Sequence, residues 1–163
     1  MTARAAGWPT RRSAGAVAFT LLLIGSWGCQ REKRSDPPDR DARVADAETR
    51  FLEVRFDTLS WASPDARARE GNGIYAAECR NCHGTVGEGN TAYADSRGLE
   101  IPSLVEADWR YRTSIDSVRH RIYVGHAAGM PTWGVAGITP REIDAVAFYI
   151  LERLRPEMLG EER

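Results

Sequence analysis

Five consecutive residues, Cys79-Arg80-Asn81-Cys82-His83, constrain this chain more than any other stretch. Wound as a helical turn, the cysteines lie three positions apart and the histidine four from the first, so all three side chains leave on nearly one side. Two sulfurs can then bond the edge of a porphyrin while the imidazole reaches its iron, which makes C-x-x-C-H an attachment sequence for a c-type haem. Two other chemistries use paired cysteines. A zinc site asks for four ligands, and outside the pentapeptide the chain adds only Cys29, His120 and His126. A redox dithiol would precede a helix in a βαβ pattern, and no such pattern is found. One covalent haem c is therefore the expected cofactor.

The iron's other face needs a second ligand. Gly129-Met130-Pro131 offers a thioether. Met1 is lost if an export segment is cleaved, and Met158 lies beyond Pro156, so Met130 leads; His126 is its rival. The plainer reading of His126 is a solvent-facing loop residue, and of His120 a polar residue on a helix face. With His83 and Met130 both on the metal, no position stays open for a substrate. The expectation is a one-electron carrier and not an enzyme.

The N-terminus reads as a targeting segment. Arg4, Arg11 and Arg12 precede an uncharged apolar run from Ala14 to Ile24, and Gly25-Ser26-Trp27-Gly28 leads into Cys29. The run falls short of the roughly 20 residues that span a bilayer, although its flanks bring an uncleaved anchor within reach. Gly28-Cys29 resembles the end of a bacterial lipobox, whose cysteine is acylated, while Ser26 and Trp27 depart from that pattern. Lipid attachment at Cys29 is the first reading, an uncleaved anchor the second and a released protein the third. Each places the domain outside the cytoplasm, periplasmic or on the outer face of a bacterial membrane, and the first two tether it there.

Residues 1–28 are thus read as export signal or anchor, 29–63 as a charged flexible tether with a short apolar segment, and 64–163 as the haem domain. From Gln30 to Arg50 the chain is dense in Arg, Asp, Glu and Ala around Pro37-Pro38, with no apolar period that could offset its ordering entropy. Between Phe51 and Trp61 apolar residues return in partial alternation, as for a strand packed on the outside. Three helical signals follow. One runs from Pro64 to Glu78; a second opens at Thr113-Ser114 and stops at Gly125; the third starts with the capping box Thr139-Pro140-Arg141-Glu142 and ends at Pro156. The third carries Ile143, Val146, Ala147, Ile150, Leu151 and Leu154 on one stripe. The glycine-bearing region from His83 to Tyr111 has no sustained period, as a loop wrapping a flat cofactor would.

Cys79–His83, Gly84 with Gly87 and Gly89, Ile101-Pro102-Ser103-Leu104, Gly129-Met130-Pro131-Thr132-Trp133-Gly134 and the last amphipathic helix together resemble a class I cytochrome c, over about residues 64–157. The resemblance implies an all-α fold of three or more helices around one covalently attached haem, with the first and last helices crossing where Gly71 admits Tyr149. It implies thioether links at Cys79 and Cys82, with His83 proximal and Met130 distal. The carbonyl of Pro102 would accept from the other nitrogen of His83, Trp133 would direct its N–H to a propionate, and Arg110, Tyr111 and Arg112 would lie near the haem.

Charge narrows the partners little. From residue 64 onward there are 12 Arg against 15 Asp plus Glu, and the single lysine, Lys33, precedes the domain, so a lysine-rich docking face is excluded. Neither a basic stripe nor a recognition motif supports nucleic-acid binding. The expected partners are a redox donor, a redox acceptor and a membrane, with no small-molecule substrate. Three functions fit: a tethered carrier between respiratory enzymes, a haem-bearing subunit of a larger oxidoreductase, and, third, a small-ligand sensor or peroxidase in which Met130 leaves the iron.

Overall fold

Apolar residues at helical spacing and well-formed caps shape the chain into helices, and a computed structural model describes residues 39–161. The apolar run and Cys29 lie outside the described residues. In order the helices are α1 (Arg40–Arg50), α2 (Val54–Asp57), α3 (Pro64–Ile74), α4 (Arg80–His83), α5 (Ala92–Ser96), α6 (Ile115–Val124), α7 (Trp133–Ala136), α8 (Pro140–Tyr149) and α9 (Arg155–Leu159). Among the described residues the sole β-type pairing is an isolated bridge between His126 and Met130. The expected all-α fold is what the structure shows.

The caps are those the sequence announces. Ser63 accepts from Ala66 N at 3.0 Å ahead of Pro64, and Ser114 accepts from Ser117 N at 3.1 Å. At α8 the capping box closes in both directions: Glu142 N donates to the Thr139 hydroxyl, and Thr139 N donates to the Glu142 carboxylate at 2.8 Å. The predicted stripe is the core face of the last helix. Ile143 and Val146 are fully buried and Ile150 and Leu154 nearly so, each stabilising the fold by roughly 1.5–3 kcal/mol.

α3 and α8 cross where Gly71 faces Ala145 and Tyr149. A Cβ on Gly71 would sit 2.6 Å from the carbonyl carbon of Ala145 and 2.7 Å from Cβ of Tyr149, so only glycine allows this approach. Just beyond the crossing both helices loosen by one residue per turn, at Tyr75–Cys79 and at Ile150–Leu154. A second fastening is polar. Asp144, 1% exposed, accepts from Trp61 Nε1 at 2.7 Å and from the guanidinium groups of Arg67 and Arg119, joining α3, α6 and the segment before α3 to α8.

Three expectations need correcting. Where the composition predicts a flexible tether through Arg50, Arg40–Arg50 is a helix, N-capped by Asp39, with Ala47 wholly buried. Its composition hides this because one small side chain and the Phe51 just after it supply most of its contact. Residues 51–61 are not strand-like: Val54–Asp57 is a helical turn and Phe56, 4% exposed, is core. The last helix does not stop at Pro156. The wider turn at Ile150–Leu154 has already displaced the regular hydrogen-bond ladder, and Pro156 enters the first turn of α9, where its missing N–H costs nothing.

Two outcomes test this packing. Gly71→Ala should lower unfolding free energy by about 2–3 kcal/mol in urea denaturation, since the clash is with backbone. Thr139→Ala should lower it by about 1 kcal/mol at neutral pH. Hydrogen bonds from the Thr139 backbone and hydroxyl hold the Glu142 carboxyl below its usual range. Its stabilisation is present above an unfolded pKa of about 4.3 and lost as pH falls through the lower folded value, so the gap between Thr139→Ala and its parent should narrow in acid.

Candidate functional site

Just past the α3–α8 crossing, Tyr75 and Ile150 line a cavity of ≈ 460 Å³. Cys79, Cys82 and His83 enter it from α4 and the turn before, and Met130 enters from the loop between α6 and α7. Tyr75, Leu104, Val118, Ile122 and Ile150 supply apolar wall. The polar and cationic lining includes Arg110, Tyr111 and Arg121. Pro102, Trp109 and Trp133 also line the space.

Each wall has a local cause. Gly84 ends α4 at φ 86°, turning the chain sharply after His83, and its carbonyl accepts from the buried Tyr75 hydroxyl at 2.8 Å. Burial, with Cys79 and Glu88 nearby, raises the Tyr75 phenol far above its ordinary value, so it stays a donor. Gly125 ends α6 at φ 71°; a Cβ there would come within 2.6 Å of the carbonyl oxygen of Met130. That closeness lets His126 N donate to the Met130 carbonyl at 3.0 Å and fixes the loop carrying the thioether. Across the proximal side, Leu104 N donates to Gly87 O at 2.7 Å, and the guanidinium of buried Arg155 donates to the carbonyls of Leu104 and Glu106.

The titratable groups suit a haem. Burial pushes the Cys79 thiol up to about 12, helped by the charges of Glu78 and Cys82. Among the described residues no three His, Cys, Asp or Glu side chains converge as a metal cluster. Burial also lowers the pKa of His83, keeping the imidazole neutral as an iron ligand must be. Its Nδ1 is buried without a hydrogen-bond partner. A flat apolar group with two carboxylates matches apolar walls, two sulfurs at one edge, a neutral imidazole, a thioether and arginines. The residues present therefore fit haem c.

The sequence-derived residues Cys79, Cys82, His83, Pro102, Met130 and Trp133 all meet here, while Cys29 lies outside the described residues. One expected bond is not made: His83 Nδ1 has no partner, so the Pro102 carbonyl does not accept from it in this conformation. The His83 backbone is tied to the following loop instead, where Gly89 N donates to His83 O at 2.8 Å. Arg110 and Tyr111 line the cavity as expected; Arg112 instead donates to the carbonyls of Asp108 and Trp109. Arg121 was missed. It donates to the Tyr111 hydroxyl at 3.2 Å and the Gly125 carbonyl at 2.8 Å, and its one sequence signal is a cation four residues before the glycine that ends α6. His126 is exposed at the cavity, and its Nδ1 accepts from Ala128 N at 3.0 Å.

Helices crossing on a glycine, with C-x-x-C-H and a methionine facing one apolar cavity, define a cytochrome c domain. The chain belongs to the family described as cytochrome c oxidase, cbb3-type, subunit III, which it matches over residues 66–150. It is similar to the cbb3-type cytochrome c oxidase subunit CcoP of Rubrivivax gelatinosus, 27% identical over 145 residues, covering 83% of this chain and 44% of the relative. It is 32% identical over 95 residues to subunit FixP of Azorhizobium caulinodans, covering 57% and 30%, and 33% identical over 85 residues to CcoP of Cereibacter sphaeroides, covering 52% and 27%. The chain thus spans less than half the length of these curated relatives. No solved structure matches it.

Tyr75→Phe leaves the Gly84 carbonyl buried without its donor. It should cost about 1–3 kcal/mol in chemical denaturation while changing no charge.

Proposed function

We propose that this chain is a haem-bearing electron-transfer subunit of a larger membrane oxidoreductase, with one covalent haem c. The observation that carries this reading is the convergence of Cys79, Cys82, His83 and Met130 on one apolar cavity. The names of the relatives, subunits of cbb3-type oxidases, favour a subunit over the freely acting carrier that heads the expectations from sequence. The independent carrier is the second reading.

In this proposal Cys79 and Cys82 form the thioethers, and His83 and Met130 hold the iron. The bound group would supply a one-electron couple. The chain's own residues set the conditions. Apolar side chains around His83 exclude water, Gly84 and the Tyr75 hydroxyl fix the turn that aims the imidazole, and the His126–Met130 bond fixes the thioether. Arg110, Arg121 and Trp133, which line the cavity, would receive the carboxylates. With His83 and Met130 both holding the iron, the chain would leave no site there for substrate. Partners would meet the domain through a small transient interface, or a fixed one within a complex.

The N-terminal residues act in this reading as an export segment, with lipid attached at Cys29 or the apolar run retained as an anchor, holding the domain on the periplasmic side. Among the described residues no helix is long and apolar enough to cross a membrane. Of the tether expected over 29–63, we assign residues 40–63 to the folded domain.

Protein matured in a haem-attaching host should stain for covalent haem and keep its pigment in acidified organic solvent. The ferric form should show the far-red absorption band of sulfur on iron, lost in Met130→Ala. A colourless product overturns the haem assignment. Copurification with oxidase subunits from its own membranes is expected, and recovery as a lone soluble species would favour the independent carrier.

A further inference from the structure

α1 and the turn after it lie outside the stretch matched to the family, yet they reach both ends of the segment that carries Met130. At the start of α1, a guanidinium nitrogen of Arg40 lies 3.5 Å from the point a Cβ on Gly129 would occupy. At its end, Arg50 O accepts from the Tyr123 hydroxyl at 3.2 Å, and the Phe51 ring meets that of Tyr123 edge-on at 5.4 Å. Tyr123, 4% exposed, in turn occupies the space a side chain at Gly134 would need. Met130 sits between those two glycines.

The same strap is fastened along its length. Glu48 pairs with His120 Nε2 at 2.8 Å, and Phe51 stands edge-on to the His120 ring at 4.7 Å. Ala47 is wholly buried, and Phe56 lies beneath Arg119, whose guanidinium is 5.1 Å from the ring centre. These contacts fall on α6, whose C-terminal Gly125 packs on the Met130 carbonyl. An eleven-residue helix is about 16 Å long, enough to touch the loop at one end and the residue backing α7 at the other.

We propose that residues 40–56 form a strap that positions the sulfur ligand, acting on Met130 through Gly129 at one end and through Tyr123 and Gly134 at the other. This rests on Met130 being the distal ligand. The strap holds the loop in its ligating arrangement, so an outside ligand must first displace it, and the apparent affinity for that ligand falls by the fraction of time the loop is open. Phe51, Arg40 and Tyr123 are positioning residues in this scheme, since they act through the loop.

The test uses the full haem-loaded chain and imidazole as the competing ligand, titrated by the loss of the ferric far-red band. Phe51→Ala should tighten imidazole binding about tenfold, because two edge-to-face contacts that hold the strap are lost. Arg40→Ala, at an exposed position with little bearing on folding, should shift it the same way by a smaller factor. Val146→Ala, a wholly buried position outside the cavity lining, supplies the control: it should lower Tm and leave imidazole affinity unchanged. The strap is overturned if Phe51→Ala and Val146→Ala change imidazole affinity alike at comparable loss of Tm, or if neither Phe51→Ala nor Arg40→Ala changes it. Survival of the far-red band in Met130→Ala would instead remove the ligand assignment beneath it, a result readable separately from the others.

Discussion

Everything in the domain is referred to one close approach, the crossing of α3 and α8 at Gly71. Because no side chain separates the two backbones there, Tyr149 closes over the glycine and its ring comes within 5.7 Å of the Tyr75 ring. Each helix then passes into a wider turn, Tyr75–Cys79 after α3 and Ile150–Leu154 after α8. Wide turns interrupt the regular ladder and often accompany functional sites. Here they fall where Tyr75, Cys79 and Ile150 come to line the cavity, so the contact that joins α3 to α8 also sets the site.

The fold is fastened by groups that do not line the cavity. Asp144, between Arg67 and Arg119 and capped by Trp61, contributes to no cavity wall, and neither does Arg155. A buried carboxylate with two guanidinium partners is costly to desolvate and is weak grounds for added stability, but breaking it strands a charge. Its effect is orientation: four segments must arrive in register before the carboxylate is satisfied. Arg155 does the same for the loop after Leu104, using carbonyls as acceptors, and burial draws its pKa below the usual guanidinium range. Polar specificity thus lies outside the cavity, whose walls are left largely apolar for the cofactor.

What could be read from sequence follows the range of the interaction. C-x-x-C-H, the capping box at Thr139 and the stripe from Ile143 to Leu154 are local patterns, and the structure contains each where the residues announce it. Gly71 with Tyr149 was legible only through resemblance to a family, since nothing near Gly71 says what it faces. Helix α1 was illegible because its core contribution is one alanine, its order coming from partners more than seventy residues away: Glu48 with His120, and Arg50 with Tyr123. Arg121 escaped for the same reason. A cation on an amphipathic helix reads as solvated until the fold shows Tyr111 and the Gly125 carbonyl beside it.

The difference between the two halves of the site follows from these ranges. At one wall His83 and both cysteines share one short helical stretch, so their relative placement is carried by the backbone from Cys79 to Gly84. On the distal side Met130 stands on a loop with no helix of its own, held by a bridge to His126 and by side chains from elsewhere. A ligand fixed within its own helix needs little help from distant chain. A side chain on a loop depends on its surroundings, and here Leu99 and Arg40 of α1 flank Gly129 while Tyr123 of α6 backs Gly134.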